Sequence, residues 1–460
     1  MKPKHAWFGT FLWVLSLLSS YAHALPEGAP PTFPIGGETV VPVDFYDMEL
    51  DLSFDVSVKA GTGHAIIRFQ APEEGFPLMD MVPRATALRL NGTSLDPGLL
   101  EEINSPDGRT KLRVLKQRVF AFSLNTLEID YAFPSAEVTY TGGGVRLGFF
   151  MGDVGSADQR GFLEKFAPSN LEFDSFPMVL RVQLKNATST HQLFTNGEIV
   201  SQGNSEYVVR FPAYFTPSSF YFHLSNQNFQ SREDTYQGMS ARIPVVVYST
   251  STDLASRGLS SAKRVLSELE STYGPFAHER VVAYITPNGG GMEYCGATIT
   301  ALSALEHEFT HFWFARGVMP VNGNAGWIDE AIASWRDNSY PSHSSLSSSG
   351  SLLAGFPSFQ RMTPMAAYSS GARVMGHLDY LFRANGGLKP ILKELFSQHK
   401  RQSISTPFFQ NFVETQTGKD LSSLFAKHVY GTGRVTKDIP EDAHTHHPRP
   451  FTPAEYKALR

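Results

Sequence analysis

From Met48 onward the apolar side chains alternate with polar ones: Met48, Leu50, Leu52, Phe54, Val56 and Val58 fall on every second position. Period two over that length predicts a strand with one buried face. Asn91-Gly92 and Asn196-Gly197 each sit between strand-like runs, and this dipeptide predicts a hairpin because both residues tolerate positive φ. Short strands continue to about Leu224. The pattern changes near Ser240. Ala262, Val265, Leu266 and Leu269 follow the helical period, and Tyr273-Gly274-Pro275 ends that helix. Val281 to Ile285 reads as a short apolar strand running into Pro287-Asn288-Gly289-Gly290-Gly291. Helical patterns then cover about 300–317, 327–340, 367–384, 389–399, 406–417 and 420–430.

The two patterns divide the chain into a β-rich part over 41–240 and a mostly helical part over 241–433. A Pro/Gly-rich linker is expected at 25–40, and a polar tail with His444, His446 and His447 at 434–460. The first 24 residues stand apart. Lys2, Lys4 and His5 precede the uncharged apolar run Ala6 to Leu18, and Ala22-His23-Ala24 offers small residues where a signal peptidase reads. A bilayer span needs about 20 apolar residues, so a cleaved export signal over 1–24 is expected, with a periplasmic or secreted product and no transmembrane segment.

Composition sharpens this. The 460 residues contain one cysteine, Cys295, so no intrachain disulfide can form and an exported chain must rely on its core. The net charge of −5 argues against a nucleic-acid partner, which needs a basic surface. The sequence does not set an oligomeric state.

The chemistry gathers in the second half. His307-Glu308-Phe309-Thr310-His311 is an H-E-x-x-H motif inside a helical pattern. At about 100° per residue the two imidazoles lie one turn apart on one face, so both can bind one Zn²⁺ ion, with Glu308 beside it as base for a water. Eighteen residues further on, Glu330 lies in the apolar segment Trp327-Ile328-Asp329-Glu330-Ala331-Ile332-Ala333. A helix hairpin through Gly323 and Gly326 brings Glu330 opposite the histidines, completing His₂Glu with a position open for water.

With these residues the sequence resembles the gluzincin aminopeptidases related to aminopeptidase N. Their signature is H-E-x-x-H followed after eighteen residues by Glu in a W-L-N-E-G-F-A-like segment, here W-I-D-E-A-I-A. Gly290-Gly291-Met292-Glu293-Tyr294 resembles the family's G-x-M-E-N strand, with Tyr294 in place of Asn. Tyr368-Ser369-Ser370-Gly371-Ala372-Arg373-Val374 resembles its Y-x-K-G-A-x-V helix start; Tyr380 is a rival without the Gly-Ala.

The resemblance implies an α+β fold: an N-terminal β-sandwich or saddle-like domain, then a thermolysin-like, mostly helical zinc domain. It covers about 45–433 and leaves the longer members' helical C-terminal domain without a counterpart. It also implies roles: Glu293 for the substrate's free amine, with Gly290, Gly291 and Met292 on the peptide-pairing strand, and Tyr368 as oxyanion donor. Glu164, in Phe162-Leu163-Glu164-Lys165, would make a second amine contact. Zinc-dependent release of N-terminal amino acids from a peptide or protein substrate follows. An endopeptidase with an open cleft and a non-catalytic peptide-binding envelope protein are the alternatives, since a shorter chain leaves the cleft less enclosed.

Overall fold

The computed structural model describes residues 28–133, 137–149, 161, 163–321, 325–359 and 363–432. The export signal over 1–24 and the tail over 434–460 lie outside them. The alternating run from Met48 to Phe54 lies on the central strand Asp44–Asp55 of an eight-stranded sheet, while Val56 and the exposed Val58 fall in the turn that follows it. The strand pairs antiparallel with Ala60–Gln70 and parallel with Met178–Lys185. Its inward residues Met48, Leu50, Leu52 and Phe54 are buried in a core rich in phenylalanine. A five-stranded and a four-stranded sheet complete the β-rich part.

The structure differs from the sequence reading in several places. The stretch read as a linker contributes Phe33–Ile35 and Glu38–Pro42, a hairpin over Gly36 and Gly37 whose second strand pairs with Phe76–Met79. Val40 and Val41 supply the reason, since both are fully buried. Asn91-Gly92 does make a tight turn, at φ values of 52° and 79°, between Ala85–Leu90 and Thr93–Leu95. Asn196-Gly197 does not: the strands on either side, Gln192–Thr195 and Glu198–Gly203, belong to different sheets. The Asn196 side chain is instead buried and fully used. Its Nδ2 donates to the carbonyls of Ser219 and Cys295, both at 2.8 Å, and its Oδ1 accepts from the Tyr221 N–H at 2.9 Å.

The site rests on another five-stranded sheet, in the order Gln230–Gln237, Arg242–Ser249, Val281–Thr286, Ala297–Ala301, Gly291–Tyr294. It starts ahead of Ser240, so the change of pattern there falls in a hairpin. Helix α1, Thr252–Tyr273, packs on this sheet; the Ser251 side chain caps it and Gly274 ends it at φ 106°. The other α-helices among the described residues are α2 (Leu305–Thr310), α3 (Trp327–Asp337), α4 (Ala372–Leu381), α5 (Lys389–His399), α6 (Thr406–Thr417) and α7 (Ser422–His428). The pattern over 300–317 is therefore not one helix. Thr298, Ile299 and Thr300 make the preceding residues a strand, which suits β-branched side chains. Trp313, Trp327 and Trp335 are fully buried and anchor α2 and α3; each indole donates to an oxygen, Gly274 O, Thr406 Oγ1 and Pro341 O respectively. No described helix is long and apolar enough to cross a membrane.

Candidate active site

Helices α2 and α3 face each other and bring His307, His311 and Glu330 together. Oε2 of Glu330 lies 3.1 Å from Nε2 of His307 and 3.5 Å from Nε2 of His311. Four ligands at about 2.0–2.1 Å in a tetrahedron stand roughly 3.3 Å apart, so Glu330 stands from each imidazole as one zinc donor stands from another, and all three ligand atoms lie within 4.8 Å of one another. The imidazoles turn their other nitrogens outward. Nδ1 of His307 lies 2.6 Å from Oδ2 of Asp337. Nδ1 of His311 lies 3.3 Å from the Phe314 carbonyl and 3.5 Å from Oδ2 of Asp329. Such outer contacts fix the tautomer that presents Nε2 to a metal.

The electrostatics agree. Burial works against charge on both imidazoles, but the carboxylates prevail. Bonds to Asp337 and Glu330 hold His307 well above the usual histidine range, and Glu330 and Glu293 hold His311 up, at about 10. Burial likewise opposes charge on Glu330, yet the two imidazoles hold it well below the carboxylate range. The surrounding carboxylates thus favour positive charge at the place where a cation fits.

Glu308 points into the same space. It is 3% exposed, and its Oε2 has no hydrogen-bond partner among the described residues. Burial pushes its carboxyl up to about 8 against the pull of both histidines. An orphaned buried carboxylate oxygen is costly unless something else completes it, and a divalent cation beside it would favour the ionised form.

Glu293 also converges on the site. Ligand atoms of Glu293, Glu308 and His311 lie within 4.8 Å of one another. Among the described residues its strand, Gly291–Tyr294, is the edge of the sheet and pairs antiparallel only with Ala297–Ala301. The backbone of Gly290, whose carbonyl accepts from the Ala301 N–H at 2.9 Å, leads into that strand. An edge of this kind is where an extended peptide can add as a further strand. Met292 and Tyr294 turn the other way, into a cluster of buried aromatic rings; Tyr294 packs 5.1 Å from Tyr221, which accounts for an aromatic side chain at this position.

Tyr368 joins the set, on the π-helical turn Ala367–Gly371. Its hydroxyl donates to Oε1 of Glu330 at 2.7 Å and its ring stacks on His307 at 6.2 Å. The rival Tyr380 sits on α4 under the Arg383 guanidinium, 3.9 Å away, and against the His377 ring. Glu164 is fully buried in the short turn Leu163–Lys165, where its carbonyl accepts from the Val82 N–H at 2.7 Å.

Three residues of this neighbourhood were missed from sequence. Asp337 lies seven positions after Glu330, two helical turns and hence nearly the same face, a signal that was readable. Asp329 directly precedes Glu330. Arg316 follows α2 and pairs with Glu293, Nη2 to Oε1, at 2.8 Å; no local spacing announces that contact.

No protein-family model and no curated protein matches the sequence. Solved structures do. A mutant of the M1 zinc metallopeptidase from Deinococcus radiodurans, bound to a Tyr-Ser-Ala substrate, is 16% identical with a TM-score of 0.60, over 87% of this chain and 96% of its own. Legionella pneumophila aminopeptidase A in complex with aspartic acid has a TM-score of 0.63 at 13% identity, over 85% of this chain and 50% of its own. Native yeast LTA4 hydrolase gives 0.61 at 12%, over 87% and 69%. The chain thus has the α+β fold of the M1 zinc metallopeptidases. The resemblance read from the motifs is met at the level of the whole fold.

Proposed function

We propose that this protein is a zinc-dependent peptidase that releases N-terminal amino acids from peptides. The observation that carries the proposal is the convergence of His307, His311 and Glu330 at zinc-donor spacing beside the orphaned carboxylate oxygen of Glu308. The M1 fold of the neighbours, some of them solved with an amino acid or a peptide, supports it.

In this reading His307, His311 and Glu330 hold one Zn²⁺. When bound, the ion supplies a Lewis acid for the scissile carbonyl and lowers the pKa of water. Glu308 takes the proton of the attacking water and passes it to the leaving amine. Tyr368 donates its hydroxyl toward the developing oxyanion; in the resting site that hydroxyl is held by Glu330. Glu293 pairs with the substrate ammonium and so sets the first peptide bond at the reacting centre. The edge strand with Gly290, Gly291 and Met292 aligns the peptide backbone, and Glu164 makes a second amine contact.

We assign the β-rich part, from the hairpin of Phe33–Ile35 and Glu38–Pro42 onward, to a saddle-like domain, and the part that begins with the strand Gln230–Gln237 to a thermolysin-like domain. The basic start and apolar run before Ala24 support export to a periplasm or the medium. The test is a panel of tripeptides, free and N-acetylated, on the zinc-loaded protein. Faster cleavage of the free peptides is expected; equal cleavage of both would make it an endopeptidase.

A further inference from the structure

None of the steps above uses Arg316. It stands in His311-Phe312-Trp313-Phe314-Ala315-Arg316, and its N–H donates to the His311 carbonyl at 2.9 Å. Its side chain links three separate stretches of chain. Nη2 donates to Oε1 of Glu293 at 2.8 Å. Nη1 donates to the Ser218 hydroxyl, which in turn donates to Glu172. Both partners of the ion pair are well covered, with side chains 10% and 13% exposed.

A guanidinium keeps its charge at any pH the protein meets. A substrate ammonium approaching Glu293 therefore meets a carboxylate whose field is already compensated and whose Oε1 is already bonded. In a covered site this compensation is weakly screened by salt. The amine gains only the difference between its own interaction with Glu293 and what it takes from Arg316. A peptide with a blocked amino terminus gives up that smaller difference and no more.

We infer that Arg316 is a specificity-determining residue that offsets the charge of Glu293 and lowers the preference for substrates with a free amino terminus; this rests on Glu293 being the amine-binding carboxylate proposed above. The bond also holds Glu293 in one position, so Arg316 decides both where the carboxylate stands and how strongly it attracts.

The test reads binding, so it stays separate from the peptidase reading, which fails if the zinc-loaded wild type hydrolyses nothing. Calorimetry on the zinc-loaded Glu308→Gln protein compares Leu-Gly-Gly with its N-acetyl form. Adding Arg316→Gln should raise the free-to-acetylated affinity ratio about tenfold, mainly by tighter binding of the free peptide. Arg316→Lys, which keeps the charge, should leave the ratio within about twofold. With Glu293→Gln also present, the effect of Arg316→Gln should vanish. An unchanged or lowered ratio in Arg316→Gln, a rise that survives Glu293→Gln, or failure of both peptides to bind overturns the inference. The Glu308→Gln parent tests it without touching Arg316: its own ratio should stay below about thirtyfold, and a higher one overturns the inference.

Discussion

A β-carbon on Gly291 would stand 2.0 Å from Oε1 and 2.5 Å from Cγ of Glu308. The edge strand and the zinc-motif helix are matched at this point: the glycine lacks a side chain where the glutamate fills the space. Gly291→Ala must therefore displace the Glu308 carboxylate while leaving the three donor residues in place. Turnover should fall about 100-fold, the usual consequence of moving a catalytic group by roughly an ångström. Zinc content, measured on the same protein, should not change. Full activity in Gly291→Ala would mean that Glu308 does not act from this position.

Asp337 accepts the outward nitrogen of His307 at 2.6 Å, and its other oxygen lies 3.4 Å from Nη1 of Arg336. Asp337→Ala removes the group that fixes the His307 tautomer. Zinc affinity, read by competition with a chelator, should weaken by about 10–100-fold. An unaltered affinity would show that the His307 ring is oriented without Asp337.

Metal uptake should release protons. Without a cation, neighbouring carboxylates hold both histidines above their ordinary range, His311 at about 10, so both carry protons at neutral pH. Zinc requires neutral imidazoles, so each histidine must give its extra proton up on binding. The sign follows: affinity falls as pH falls. Zinc titrations in two buffers of different ionisation enthalpy should give different apparent heats at pH 7.5. Identical heats would contradict the protonated site.

Asn196 ties the β-rich part to the segment that carries Glu293, through three buried bonds to Ser219, Cys295 and Tyr221. Asn196→Ala leaves two carbonyls and an N–H to find other partners. The cost should be about 2 kcal/mol, seen as a lower midpoint in urea with an unchanged slope. A stability within error of wild type would mean that water completes these groups at no cost.

What could be read from sequence was local. His307, Glu308 and His311 lie within one helical turn, and Glu330 follows at a fixed offset, so spacing alone brought them together. Helices α5 and α6 run over the residues their patterns marked, Lys389–His399 and Thr406–Thr417, each with a proline in its first turn. What escaped depends on which distant segments meet. Arg316 reaches Glu293 only because α2 and the edge strand are brought side by side, with Ser218 from the β-rich part closing the third side. Asn196-Gly197 carries a hairpin signature, but long-range bonds to Ser219 and Cys295 claim its side chain. The supposed linker pairs as a hairpin because Val40 and Val41 have a core to enter, which its proline and glycine content conceals.

The most direct test of the central claim is hydrolysis of Leu-Gly-Gly by the zinc-loaded protein beside its Glu308→Gln variant, with bound zinc measured in both. The account predicts zinc-dependent cleavage by the wild type. It also predicts that Glu308→Gln retains zinc and loses turnover by at least about 100-fold. Bound zinc with no cleavage in the wild type, or equal cleavage by the two proteins, would contradict it.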